Sequence, residues 1–384
     1  MSRSRTRAYV VSGLACATAL AAVACPPLDY LSSGGDDAPA PDAGGEASPL
    51  DAGDAGCPSA RPPALTPGLP AGATGPTLVF AVRSLGFSDP DGGAIGYDLD
   101  RTCTCQDPGA KPSCKAPTAV ETCDGPEGRD AVSESLLSLV SDDPNAAIKS
   151  GARTTLFQVV GWSGAPDDAE VVVQGYPSAG IWATNTEGTA FVDDGGVLPD
   201  GGRARSISPT WDGNDRWTID PAGKPDGAPV FVISGYVRDN VLVASVPEPN
   251  RVPGELVGPG VLKGVDLHDA ILTGRIVKSA DGRYTIEGGI VTGRVEARTL
   301  AGITAVQKRD GGFVCEPLPP AVATAYVARV CDARDIRARA SDDGKDLPCD
   351  ALSFVATFSA AEAKEGLRRE PEIPSCTPEP RPCP

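Results

Sequence analysis

The chain has 384 residues, with 51 Asp and Glu against 34 Lys and Arg, and its formal net charge is −17. Proteins that bind nucleic acid present clustered Lys and Arg to the phosphates, so this acidic balance argues against a nucleic-acid partner. It also argues against electrostatic docking on anionic lipid and indicates a well-solvated surface.

The first 24 residues are typical of a secretory signal peptide. Arg3, Arg5 and Arg7 precede an apolar run that ends at Cys25, and small residues close that run. The run is shorter than the roughly 20 apolar residues that a transmembrane helix needs. We therefore expect export, with removal of residues 1–24.

The end of the apolar run, Ala22-Val23-Ala24-Cys25, resembles the lipobox of bacterial lipoproteins, although that class usually has Leu where Ala22 stands. The resemblance implies that Cys25 is lipidated, becomes the first residue of the mature chain and anchors it to the bacterial envelope, facing the periplasm or the surface. Cys16 is a poorer candidate because too short an apolar run precedes it. The alternative is an ordinary signal peptide cleaved nearby, with Cys25 unmodified.

Residues 25–75 predict a disordered tether. Pro, Gly, Ala, Ser and Asp dominate this segment, and such a composition cannot bury enough apolar area to offset the entropy lost on ordering. We expect the tether to lead into a folded domain over residues 76–360, followed by a Cys- and Pro-rich tail over residues 361–384.

Ten cysteines remain once Cys16 and Cys25 are set aside, and in an exported chain they predict disulfides. Four of them have the spacing C-x-C-x8-C-x8-C, which fits neither zinc knuckles nor a redox C-x-x-C. Cys103 and Cys105 cannot easily bridge each other. Internal pairing of the block leaves 103–114 with 105–123, or 103–123 with 105–114. The disulfide candidates are Cys57, Cys103, Cys105, Cys114, Cys123, Cys315, Cys331, Cys349, Cys376 and Cys383.

The folded domain reads mostly as strands. Stretches rich in Val, Phe, Trp and Thr lie between turn residues at 76–82, 153–162, 169–176, 216–220 and 228–237. Strands do not alternate with long helices, so a doubly wound parallel sheet is not expected. Apolar periodicity predicts short helices at 129–140 and 321–330. We predict a mainly β fold, a β-sandwich of jelly-roll or related type with a few short peripheral helices.

The phrase Thr-Gly-Arg occurs twice, in AILTGRIVKS (270–279) and GIVTGRVEAR (289–298), on the two arms of a predicted hairpin. A bulge at Gly288-Gly289 would keep the apolar residues of the second arm on one face. One interpretation is a polar face on which Arg275 and Arg294 bind an anionic ligand. The other, which we favour, is the solvated outer face of a sandwich.

The residue inventory gives little support to catalysis. His268 is the only histidine, so a Ser-His-Asp hydrolase or a His-based zinc site would depend on it. The stretch Gly161-Trp162-Ser163-Gly164-Ala165 departs from the nucleophile elbow at Ala165, and a strand follows where the elbow needs a helix. Glycosidase chemistry needs only two carboxylates and stays open. We assign no catalytic residue.

Calcium is the one cofactor that the sequence suggests. Asp89, Asp91, Asp98, Asp100, Asp124 and Asp130 lie in two Asp- and Gly-rich segments, and carboxylate oxygens are ligands for hard cations. As an EF-hand loop, 89–100 has the right length but carries Ala94 at the central glycine position and Asp100 at the last. The alternative for these segments is a set of plain turns.

Carbohydrate is the second possible ligand. Trp211 and Trp217 flank the turn WDGNDRW, and exposed aromatic rings can stack on sugars. The commoner position for tryptophan is a buried one.

The pattern GYDLD, then CDGPEGRD, then CDALSFVATF resembles secreted or lipid-anchored proteins of gram-negative bacteria. That resemblance implies no activity. We expect a membrane-anchored, non-catalytic lipoprotein with a binding or structural role. The alternative is an extracytoplasmic carbohydrate-binding module or an acid-pair glycoside hydrolase.

Overall fold

The computed structural model describes residues 58–69, 75–88, 94–106, 111–118, 123–133, 136, 145–193, 196–198, 206–229, 231–256, 264–309, 312–370 and 377–383. The predictions made for Cys25, Cys57, Asp89, Asp91 and Cys376, and for the side chain of Cys315, lie outside this part of the chain. So does half of the helix predicted at 129–140, and its described residues 129–133 form a bridge and a turn and not a helix.

Fourteen strands and three short helices make up the regular structure of the described residues. The strands are β1 (Leu78–Gly86), β2 (Thr154–Val160), β3 (Asp168–Ser178), β4 (Phe191–Asp193), β5 (Gly196–Leu198), β6 (Arg216–Ile219), β7 (Phe231–Arg238), β8 (Val241–Pro253), β9 (Asp266–Lys278), β10 (Tyr284–Glu296), β11 (Val306–Arg309), β12 (Gly312–Pro317), β13 (Ala351–Glu362) and β14 (Lys364–Arg368). The helices are α1 (Ala146–Lys149), α2 (Ala297–Thr304) and α3 (Pro320–Asp332).

Eight antiparallel strands close into a barrel in the order β1-β13-β10-β9-β8-β7-β3-β2. The mainly β prediction is confirmed, and the β-sandwich prediction is wrong. The ring closes because β1 pairs with β13 on one side, Phe80 lying opposite Glu362, and with β2 on the other, Phe80 lying opposite Phe157. One continuous ladder therefore replaces the two packed sheets of a sandwich and leaves none of these eight strands as an edge.

Apolar side chains fill the inside of the barrel. Phe157 lies at its centre, with ring centroids 5.9 Å from Phe80 and 5.7 Å from Phe358. The cavity between the strands has a volume of about 30 Å³, which is room for little more than a water molecule. The barrel is therefore a packed core and not a container for a ligand.

The hairpin of β9 and β10 has the predicted bulge. The register of β10 shifts between Ile286 and Gly289, and Gly288 takes a φ of +56°. The shift lets Ile286 share the inner face with Val291 and Val295, and all three are buried. Two residues in β10 thus oppose one in its neighbour, which restores the phase of the apolar pattern.

The outer face of this hairpin is not solvated as predicted. Thr273 and Arg294 are buried, and only Arg275 is exposed. The described residues of 94–133 and 333–350, here called the cysteine lobe, cover this face. Tyr97 from the lobe shares a hydrogen bond of 2.9 Å with the hydroxyl of Thr273. The prediction of a solvated face was wrong because the strand residues that contact the cysteine lobe, such as Thr273 and Arg294, are polar. Polar residues on a strand look the same in the sequence whether water or the lobe covers them.

Described residues beyond both predicted ends of the domain, 76 and 360, also contact the folded body. The hydroxyl of Ser59 donates to Asp98, and the amide of Ala60 donates to the carbonyl of Glu127 at 2.8 Å. This part of the predicted tether therefore packs on the cysteine lobe. At the other end, β14 pairs in parallel with β6, and Cys383 is bonded to Cys331. The described part of the predicted tail is thus attached to the body.

Three complete disulfides join described residues. Cys105 bonds Cys123, Cys114 bonds Cys349 and Cys331 bonds Cys383, while Cys103 is also disulfide-bonded. Of the two connectivities considered, only the pair 105–123 occurs, because Cys114 bonds outside the block. The reason is that 111–118 runs beside 344–349, where the amide of Cys349 donates to the carbonyl of Lys115 at 2.9 Å. These bonds are consistent with an oxidising, extracytoplasmic location.

In the described residues, no helix has both the length and the apolar character needed to cross a bilayer.

Gly274 gives a direct test of the inner face of the hairpin. A Cβ added there would collide with Cγ2 of Ile286. We expect Gly274→Val to lower the free energy of unfolding by about 1–3 kcal/mol through overpacking. Arg275→Val, one residue along on the exposed face, is the control and should change it by less than about 0.5 kcal/mol. Chemical unfolding measures both, and an unchanged Gly274→Val midpoint would show that this face is not packed.

Candidate metal centre

Asp98 and Asp100 are brought together by a turn at the start of the cysteine lobe. The first carboxylate accepts the amide of Arg101 at 2.6 Å, and the second accepts the amide of Thr102 at 2.9 Å and its hydroxyl at 2.8 Å. Arg101 takes a φ of +63°, so the chain folds back at this point. Asp side chains that bond to amides two or three residues on are what favours such turns.

Asp130 completes a group of three. One carboxylate oxygen each from Asp98, Asp100 and Asp130 lie within 4.8 Å of one another. All three residues are buried, with 3%, 8% and 3% of their surface exposed. Asp130 is held in place by the amide of Leu99, which donates to its Oδ2 at 2.6 Å. We call these three residues the aspartate cluster.

A glycine allows the two segments to approach so closely. Gly128 has a φ of +70°, and a Cβ on it would lie 2.8 Å from the carbonyl oxygen of Thr102 and 3.2 Å from Cγ of Asp98. Any other residue would push the segment of Asp130 away from the turn of Asp98 and be strained in this backbone conformation.

Two further carboxylates act on the cluster through their charges. Asp124 accepts the amide of Thr104 at 2.6 Å, and Asp335 accepts the amide and the hydroxyl of Ser353 at 2.9 and 2.6 Å. Sequence reasoning included Asp124 and missed Asp335, which belongs to a segment far along the chain. The carbonyl of Asp335 lies 3.4 Å from Sγ of Cys114, so the disulfide 114–349 lies beside it.

Burial and mutual repulsion disfavour the charged forms of these carboxylates. Burial, followed by the charges of Asp100, Asp335 and Asp124, raises the pKa of Asp130 well above its usual value. Burial and the charge of Asp100 raise the pKa of Asp124 to about 7. Burial also raises the pKa of Asp335 to about 7. Among the ion pairs formed by described residues, none includes a member of the aspartate cluster.

Such a site fits a hard divalent cation. Calcium takes six to eight oxygen ligands, and carboxylates, carbonyls and water all serve. The three clustered oxygens belong to separate carboxylates at short mutual distance. Buried carboxylates without counter-charges destabilise a fold, and a bound cation removes that penalty. Asp98, Asp100 and Asp130 are the residues that would hold it. The EF-hand interpretation is not supported, since the described residues from 94 to 100 form bends and irregular chain without helix.

The predicted carbohydrate platform does not form. Trp217 is fully buried, and Trp211 is partly buried against it with ring centroids 5.6 Å apart. A sugar ring cannot reach Trp217, because its side chain has no exposed surface. The aspartate cluster is likewise too enclosed to hold a glycan between its carboxylates. These observations favour a cation over a carbohydrate among the two ligands that the sequence suggests.

The predicted anion site on the hairpin does not form either. Arg294 has no exposed surface and donates to Asp343 at 2.9 and 2.7 Å and to the carbonyl of Leu99 at 2.6 Å. Arg275 is exposed and donates to the carbonyl of Asp239 at 3.1 Å. The two arginines therefore have separate roles, and Arg294 fastens the cysteine lobe to the barrel beside the aspartate cluster.

His268 and Ser163 have structural positions. His268 is buried on β9, with its Nε2 3.9 Å from a carboxylate oxygen of Glu296. Ser163 lies in the turn between β2 and β3, and its amide donates to Asp168 at 2.9 Å.

Comparisons of the chain with protein-family models, curated proteins and solved structures found no match.

Proposed function

We propose that this protein is a lipid-anchored, extracytoplasmic calcium-binding protein with a non-catalytic role. The aspartate cluster carries the proposal, because three buried carboxylates converge there and none of them forms an ion pair with another described residue. The bound ion holds the turn of Asp98 and Asp100 against the segment of Asp130. Its action is structural: it holds two segments of the cysteine lobe together.

Two chemical arguments support the proposed extracytoplasmic location. Disulfides persist in oxidising compartments, and free calcium is more abundant outside the cytosol, where modules of only millimolar affinity are used. The anchoring part rests on the resemblance of Ala22-Val23-Ala24-Cys25 to a lipobox. A lipid on Cys25 would tether the folded body to the envelope.

Calcium binding can be measured directly. Protein stripped with a chelator should bind about one calcium ion in isothermal titration. Asp100→Asn keeps an acceptor for Thr102 but removes a charge, so we expect affinity to fall at least about ten-fold. The control is Asp281→Asn, at the exposed turn of the β9–β10 hairpin. Absence of binding by the wild type, or equal binding by both variants, would refute the site.

Anchoring has its own test. Replacing Cys25 by Ser removes the thiol that the lipid would occupy, so the protein should move from the membrane fraction to the soluble fraction on expression in a gram-negative host. Cys16→Ser is the control and should leave the membrane fraction unchanged. A wild-type protein found entirely in the soluble fraction would contradict lipidation of Cys25.

A further inference from the structure

A cleft lined by arginines lies on the cysteine lobe, apart from the aspartate cluster. It has a volume of about 460 Å³ and opens between the start of α2, the segment after α3 and the described C-terminal residues Pro382 and Cys383. Its basic residues are Arg298, Arg334, Arg337 and Arg339, here called the arginine cleft. Four arginines around one opening are unexpected in a chain whose net charge is −17.

The sequence explains why two of these arginines, Arg337 and Arg339, meet. Residues 333–340 read ARDIRARA; they pass β13 at Ile336, which bridges to Ala351, and Arg339 has extended backbone angles. Ile336 and Ala338 are buried, so the alternation of an extended chain turns Arg337 and Arg339 to the other side. The Cys331–Cys383 disulfide fixes the opposite wall, so the cleft is formed before a ligand arrives.

The charges of the cleft are incompletely balanced. Its three carboxylates already have basic partners: Glu296 pairs with Arg298 at 2.7 Å, Asp350 with Arg337 at 3.0 Å and Asp342 with Lys345 at 3.0 Å. Arg334 donates through Nε to the carbonyl of Cys331 at 2.5 Å. Within the described chain, neither Arg334 nor Arg339 has an ion-pair partner.

Arg337 also lacks an acceptor at one nitrogen. Its Nη1 donates to the carbonyl of Pro348 and its Nη2 pairs with Asp350, while its Nε is buried without a hydrogen-bond partner among described residues. A buried donor without a partner is destabilising and rare in native proteins.

The geometry points to a binding site for the phosphate group of a small extracytoplasmic molecule in the arginine cleft. Guanidinium groups donate in pairs to phosphate oxygens, and several of them can share one tetrahedral dianion. A soluble phosphate compound and a phospholipid headgroup offer the same chemistry. The acidic surface of the protein is repelled by an anionic bilayer, so we assign the soluble source.

Inorganic phosphate is the probe for the first experiment. Titration calorimetry is run on the full disulfide-bonded protein at low salt, with a chelator present so that calcium plays no part. We expect saturable binding that weakens as salt is added. The double variant Arg334→Gln with Arg339→Gln should lose at least about ten-fold in affinity, since two charge-assisted contacts are removed. Arg275→Gln, an exposed arginine on β9, is the control and should bind as the wild type does.

The outcomes separate the proposal from its alternatives. Arg337→Lys keeps the charge and loses the forked donor, so a ten-fold loss here too would support guanidinium recognition. Vesicles of phosphatidylcholine with phosphatidylglycerol test the headgroup source: binding that the double variant abolishes would support the same site with a lipid ligand. No binding of either probe, or equal binding by the double variant and Arg275→Gln, overturns the site. Because the chelator is present throughout, none of these results bears on the calcium site.

Discussion

Replacing Arg294 by Met should lower the free energy of unfolding by about 3–5 kcal/mol, because the change leaves a buried charge without its partner. The side chain of Asp343 is only 16% exposed and would lose both bonds to Arg294. The carbonyls of Leu99 and Arg337 would also lose their donors, which are Nη2 and Nη1 of Arg294. Met is close to Arg in volume, so the loss reports the polar network more than a cavity.

The repeated Thr-Gly-Arg phrase offers a matched control for that experiment. Arg275→Met changes the same residue type in the same local sequence, but on the exposed part of β9. It should alter stability by less than about 0.5 kcal/mol. Denaturant unfolding of oxidised protein measures both variants. Similar losses in the two variants would mean that burial of Arg294 under the cysteine lobe is not what stabilises the fold.

Loss of the Cys114–Cys349 disulfide should have an effect of comparable size. The bond joins residues 235 positions apart, and the chain-entropy model predicts about 5 kcal/mol for so long a loop. Changing both cysteines to Ser avoids a stray thiol. The variant should also bind calcium more weakly, because the bond lies beside Asp335 and holds the two parts of the cysteine lobe, 94–133 and 333–350, together.

The Cys331–Cys383 disulfide is the comparison for this prediction. It spans 52 residues, so the same model predicts a loss of about 4 kcal/mol. It lies at the arginine cleft, and its removal should leave calcium affinity unchanged. Calorimetric melting of the two double variants measures the loss of stability, and calcium titration measures the change in affinity. Calcium affinity that falls equally in both variants would contradict the link between the 114–349 bond and the aspartate cluster.

Strands could be predicted from the sequence because their residues carry the pattern locally. The strands expected at 153–162, 169–176 and 228–237 occur as β2, β3 and β7, since β-branched and aromatic residues suit a pleated surface. The helix expected at 321–330 occurs as α3. The bulge at Gly288 could be predicted too, because the apolar parity of Ile286 required it.

Closure of the barrel could not be predicted in this way. It depends on β1 meeting β13, and an inward-facing apolar pattern is the same in a sandwich and in a barrel. Arg294 shows the same limit for a single residue. It shares its local sequence with Arg275, yet one is buried and the other exposed, and the difference comes from a lobe whose position only the fold reveals.

The aspartate cluster was partly visible in the sequence. Asp98, Asp100 and Asp130 were three of the six candidate calcium ligands, for which plain turns were the alternative, and the structure brings one oxygen of each together. Their convergence depends on the turn at Arg101 and on the close approach at Gly128, neither of which a spacing rule describes. Asp335 was invisible because nothing in its neighbourhood suggests a metal ligand.

The most direct test of the calcium site is whether Asp100→Asn raises or lowers the melting temperature, measured once without calcium and once with it. Asp100→Asn removes a charge that raises the pKa of Asp130, Asp124 and Asp335 by repulsion. With a chelator at pH 7.5, that variant should therefore melt above the wild type. With excess calcium the order should reverse, because the wild type gains about 2–3 kcal/mol from an ion at a hundred times its dissociation constant and the variant gains less. Melting curves of both proteins in both buffers give the answer, and a variant that stays on the same side of the wild type with and without calcium would contradict a cation held by the aspartate cluster.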